Sequence, residues 1–253
     1  MAQISLTLPL LAAVAFALLN LVVVISLLPE THAPSARLPM PRRSDLQPFG
    51  PVVQVFNDPR VRRLGLAFFT FFLAFNGCTA LLVLYFKQAF AWGPTSSAMA
   101  FLVVGLVAML VQGVLIGPLV GRWGESRLIL VGLAAVISGC LMLCLATAAT
   151  ANPLAYVAVA ALALALGTGL VTPCLRGLVS RRLEGGGQGA ALGSLQALQS
   201  LGSFIGPALG GLAFEGLGAR SPFVLAILLL AATGLMLLEG GTRQAGWIPD
   251  SRP

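Results

Sequence analysis

The side chains of this chain that could recognise or react with another molecule are few, and nearly all are uncharged. Gln196, Gln199, Ser200 and Ser203 recur at spacings of three, four and seven, which places them on one face of a helix. Asn76 interrupts the aromatic run from Phe68 to Phe75, Gln112 interrupts a second apolar stretch, and Thr168, Thr172 and Arg176 lie toward one end of a third. Amides and hydroxyls donate and accept hydrogen bonds without changing charge. Their chemistry is therefore recognition of a polar group, either on a solute in a cavity or on a neighbouring helix. The second use contributes about 0.6–2 kcal/mol per bond inside a membrane. Arg176 reads as an anchor at a helix end.

Other chemistries lack carriers. Cys140 and Cys144 are spaced to share a helix face, but the sole histidine, His32, lies in a proline-rich segment and no carboxylate falls in the same stretch as the cysteines. Cys78, Cys140, Cys144 and Cys174 all sit in apolar surroundings, where thiols behave as small hydrophobes. No disulfide framework, metal centre, cofactor site or nucleophile–base pair is expected, and the chain does not read as an enzyme. Glu30, Glu125, Glu184, Glu215 and Glu239 fall at the ends of apolar stretches or between them. A proton path through a membrane normally needs an ionisable group within it, so this chain carries no obvious proton carrier.

The elements that position these residues follow from composition. Of 253 residues 58% are hydrophobic and only 9% charged, with a mean hydropathy of +0.95, whereas soluble domains carry about 25% charged residues. Seven stretches reach the roughly 20 apolar residues that cross a bilayer as a helix: Leu6–Leu28, Val61–Phe86, Ser97–Ile116, Leu128–Thr147, Leu154–Leu175, Gly189–Phe214 and Pro222–Leu238. Their solid apolar character excludes the alternating strands of a β-barrel. The expected fold is all-α, a polytopic bundle of about seven transmembrane helices. It divides into a helix over 1–28, a linker over 29–60, a six-helix bundle over 61–240 and a tail over 241–253. Pro34, Pro39, Pro41, Pro48, Pro51 and Pro59 keep the linker from forming a regular helix.

A net charge of +7 raises nucleic acid as a partner, but the arginines sit between apolar stretches, where membrane proteins place cytoplasmic charge. With alternating sides, one side receives Arg37, Arg42, Arg43, Arg60, Arg62, Arg63, Arg122, Arg127, Arg176, Arg181, Arg182, Arg243 and Arg252; the other keeps Lys87 and Arg220. The linker and C-terminus are therefore expected in the cytoplasm and the N-terminus outside, in a plasma or inner membrane. A faint repeat pairs Leu8-Pro9-Leu10 through Leu28-Pro29-Glu30 with Ser221-Pro222-Phe223 through Leu238-Glu239. It makes the first stretch the closing helix of one unit and the last the closing helix of another.

Between the third and fourth stretches lies Gly117-Pro118-Leu119-Val120-Gly121-Arg122-Trp123-Gly124-Glu125-Ser126-Arg127. This segment resembles the signature loop of the major facilitator superfamily, which follows the second helix of each six-helix half. Gly117, Gly121, Arg122, Gly124 and Arg127 carry the likeness, with Gly121 standing where the family has an aspartate. Leu28-Pro29-Glu30-Thr31 is similar to the end of the family's sixth helix, and Asn57-Asp58-Pro59-Arg60 with Leu66-Ala67-Phe68-Phe69 to the start of its seventh. Gly189 to Gly211 resembles the eleventh helix of drug–proton antiporters of the tetracycline-efflux type.

The resemblance implies the sixth helix plus the C-terminal half of a transporter, with the helices of Asn76, Gln112, Thr168, Thr172, Gln196, Gln199 and Ser203 lining a central cavity. It implies proton-coupled efflux of a small organic molecule by a partial transporter. Two other readings stand beside it: a half-transporter that needs a separate N-terminal half or a second copy, and a non-transporting membrane scaffold. Gly202, Gly206 and Gly210 fall four apart around Pro207, a small-residue face suited to close helix packing, with bending at the proline as the further use.

Overall fold

A computed structural model describes residues 7–27, 59–146, 152–182 and 188–243, all of them helical or in short turns. Seven helical spans are long and apolar enough to cross a bilayer. The expected polytopic all-α bundle is what the chain forms. The linker lies outside the described residues apart from Pro59 and Arg60, as do residues 183–187 and the tail beyond Arg243. The first span, α1 (Leu8–Leu27), is a body by itself: 20 residues with no charge in either terminal turn.

The second body contains α2 (Pro59–Thr79), α3 (Leu82–Phe90), α4 (Pro94–Leu110), a π-helical stretch Val111–Leu115, α5 (Ile116–Trp123), α6 (Glu125–Leu145), α7 (Pro153–Arg182), α8 (Gln188–Leu217) and α9 (Ser221–Arg243). Proline opens α2, α4 and α7 at the first helical position, where its missing N–H has no partner to lose. Asn152 caps α7, its Oδ1 accepting from the Ala155 amide at 3.2 Å.

Several helices run past the ends of the apolar runs, and in two places the winding itself departs from them. The run Val61–Phe86 is two helices, broken at Ala80 and Leu81, and the helix continues to Phe90. Before the break, Asn76 donates to the Phe72 carbonyl, while Cys78 and Thr79 both donate to that of Phe75. Such side-chain bonds compete with the helical ladder and bend it. In the second place, the segment from Gly117 to Trp123 is helical rather than a loop, and Gly124 alone breaks the chain before α6. Its φ of 75° and ψ of 156° lie in a region essentially reserved for glycine.

Helices gain little hydrophobic energy by associating in lipid, so close van der Waals packing holds the bundle. Two pairs pack most extensively, α6 with α7 and α2 with α8; α9 bridges α2 and α6, and α4 lies on α7. Glycine makes both crossings possible. A Cβ on Gly206 would lie 2.5 Å from the Leu73 carbonyl oxygen and 2.9 Å from the Gly77 nitrogen; one on Gly202 would lie 2.9 Å from the Leu73 nitrogen; and Gly210 meets the Gly77 carbonyl. The other crossing repeats the device, with Gly167 against the Gly132 carbonyl. Phe68, Phe71, Val136, Val171, Leu195, Leu198, Phe223 and Leu230 fill the core between them. At the end of the bundle away from Gly124, the buried Tyr85 donates to the Leu143 carbonyl at 2.5 Å and packs edge-on against Phe223.

Candidate functional site

Three of the helices bring most of the uncharged polar residues together. On α2, the Asn76 amide donates to the Phe72 carbonyl at 2.9 Å and to Ser203 Oγ of α8 at 3.2 Å. One and two turns back along α8, Arg176 of α7 uses Nη2 to reach both glutamines, donating to Gln199 Oε1 at 2.7 Å and Gln196 Oε1 at 3.1 Å. The guanidinium carbon stands 5.8 Å from the centroid of Phe68, a ring wholly buried in α2. Arg176 is thus tied to two helices besides its own, across the seam where α7 and α8 pack only lightly.

This cluster sits on a face of the bundle and not in its core. Gln196 and Ser200 are exposed, while Asn76, Arg176, Gln199 and Ser203 are half-buried. A crevice of about 260 Å³ lies elsewhere, among Leu82, Phe86, Ala100, Phe101, Leu143 and Leu164, and its lining is apolar. A hydrocarbon crevice cannot recognise a polar solute, so the polar face is the stronger candidate.

The remaining candidates are more scattered. Thr168 is turned back on its own helix, donating to the Leu164 and Ala165 carbonyls. Thr172 is half-buried one turn before Arg176. Gln112 is exposed within the π-helical stretch, beside Gly169 of α7; such stretches often mark functional positions. In the signature segment Gly117, Gly121, Arg122 and Arg127 are exposed, and a Cβ on Gly117 or Gly121 would meet nothing within 4 Å. The charge contact there is made by Glu125, paired with Arg181 of α7 at 3.0 Å.

The sequence profile of the major facilitator superfamily matches residues 1–188 and, in a second overlapping alignment, 113–252. The chain belongs to the major facilitator superfamily. Among individual relatives, the class C tetracycline resistance protein of Escherichia coli is 34% identical over 208 residues, 81% of this chain and 50% of that protein. The class G tetracycline resistance protein of Vibrio anguillarum is 31% identical over 183 residues, 71% of this chain and 44% of its own length. Multidrug resistance protein 2 of Bacillus subtilis is 28% identical over 177 residues, 68% of this chain and 42% of its own. The chain spans about half the length, or less, of the curated relatives it matches.

Sequence reasoning missed the role of Arg176 in this superfamily bundle. The signal lay in hairpin arithmetic: Arg176 is nine residues before Gly185 and Gln196 eleven after it. Two antiparallel helices joined there bring these positions level. Pro173, inside α7 three residues before Arg176, also escaped notice.

Proposed function

We propose that this chain contributes the substrate-facing C-terminal bundle of a major facilitator transporter that exports a small amphipathic organic molecule, driven by protons moving inward down their gradient. The observation that carries this reading is the polar face built by Asn76, Ser203, Arg176, Gln196 and Gln199. Exposed to lipid, such a face would be costly, so it fits a water-filled path instead. The tetracycline and multidrug resistance relatives favour efflux of drug-like molecules. No Asp or Glu stands near the middle of a span among the described residues. The proton carrier is accordingly assigned to a second bundle across the cavity, in the half of the transporter that these residues do not include. The open small-residue stripe Gly113, Gly117 and Gly121 suits close approach of a helix from that bundle.

Drug-hypersensitive bacteria expressing the chain, alone and with a separately encoded N-terminal six-helix half, test this. Protection against a panel of drugs including tetracycline is expected with the second half present, and Asn76→Ala with Gln199→Ala should lower it at least tenfold at unchanged protein level. Full protection by the double variant would overturn the assignment of the face.

A further inference from the structure

Resting on that reading of the polar face, we infer that Arg176, Gln196 and Gln199 form a subsite for the anionic group of an organic acid. A guanidinium only donates hydrogen bonds, so both glutamines must turn Oε1 toward it, as the contacts at 3.1 and 2.7 Å show. Each glutamine NH2 group is thereby directed away from Arg176 as a pair of donors. Nη2 serves both glutamines, which leaves the Nη1 and Nε hydrogens of Arg176 to an incoming group. The cluster thus presents donors on three side chains around one positive charge.

Among the described residues that charge has no counter-ion. The acceptors it holds are neutral, and no carboxylate pairs with Arg176 among the described residues; Glu125 pairs with Arg181 instead. Arg176 lies six residues before the end of α7 at Arg182, about 9 Å along the axis. The donors that remain on the guanidinium suit a carboxylate or sulfonate. The ring of Phe68 beneath it holds the guanidinium in place. Leu192, exposed one turn from Gln196 on the same face of α8, provides a surface for the apolar body of the acid.

Equilibrium binding to the full chain in phosphatidylcholine nanodiscs tests the subsite, with 2-naphthoate, its neutral amide 2-naphthamide, and the cation 2-naphthylmethylammonium as probes. The naphthoate is expected to bind at least tenfold more tightly than the amide, and the cation more weakly than either. Arg176→Gln should erase the preference and Arg176→Lys should keep part of it. Gln196→Glu, at an exposed position that leaves the packing alone, should erase it by supplying Arg176 with an internal carboxylate. Equal binding of acid and amide, or no binding at all, overturns the subsite. If acid and amide bind equally and Asn76→Ala weakens both, the polar face survives without the anion preference. If the preference depends on Arg176 while Asn76→Ala changes nothing, the subsite stands and the wider face does not. Replacing half the lipid with phosphatidylglycerol separates a bound solute from a lipid headgroup. Competition by that lipid at Arg176 would make the occupant a phospholipid and overturn the proposal.

Discussion

Glu125 shows how a single side chain ties two helices together. The signature segment has Gly121 where the family it resembles has an aspartate, and a carboxylate four residues later holds one end of α6 to α7 through Arg181. The pair is lopsided: the Arg181 side chain is 63% exposed and that of Glu125 only 9%. Solvent screens the exposed partner, so Glu125→Gln should lower stability by less than about 1 kcal/mol. Gly177 makes a second contact, because a Cβ there would press on the Glu125 carboxylate. That carboxylate ends a flexible side chain and can swing aside, so Gly177→Ala is expected to cost less than about 1 kcal/mol. Thermal unfolding in detergent should show the double variant losing less than the sum of the two. Neither relation was legible in the sequence, where Glu125 is one of several end-of-stretch acids and Arg181 one of many cationic end residues. Composition reports which side of a membrane a charge belongs to, but the partner comes from the rotation of one helix against another.

At the scale of elements, the small-residue face of α8 was legible in full, since spacing by four is a property of the chain alone. What it packs against was not. The structure gives it α2, with Gly206 seated on the backbone between Leu73 and Gly77. Backbone cannot move aside as a side chain can, so even one methyl group must push the helices apart. Gly206→Ala is expected to cost about 1–3 kcal/mol, and Gly206→Val more, because a second clash is added and χ1 is fixed. Cysteine crosslinking between α2 and α8 should fall with the valine variant while crosslinking between α6 and α7 persists. Normal α2–α8 crosslinking in that variant would contradict the crossing. The break between α2 and α3 eluded the sequence for a different reason. Hydropathy runs unbroken through Ala80 and Leu81, and the cause is a set of side-chain bonds to carbonyls one turn back.

For the whole molecule, the number of spans and the fold class were readable from hydropathy, because a bilayer sets helix length independently of partners. The sorting of charge is equally plain. Glu125 and Arg181 meet at one end of the bundle, whereas Arg220 reaches the Ala146 carbonyl at the other. The arginine-rich end belongs in the cytoplasm by the positive-inside rule. A fluorescent protein fused after Pro253 should therefore fluoresce, and alkaline phosphatase fused before Met1 behind a cleavable export signal should be active. The reverse pattern would invert the orientation and place Arg176 near the outer surface.

The π-helical stretch at Val111–Leu115 acts as a phase shift. One surplus residue in a helix advances everything beyond it by about 100° relative to an uninterrupted α-helix. The azimuth of Gly117, Gly121 and Arg122 on α5 is therefore set upstream, within five residues that include Gln112. Loss of any one of those residues would let the span relax into regular winding and swing the whole signature segment toward a different neighbour. Substitutions along this stretch would change one side chain each, while a deletion would re-aim a full two turns of helix.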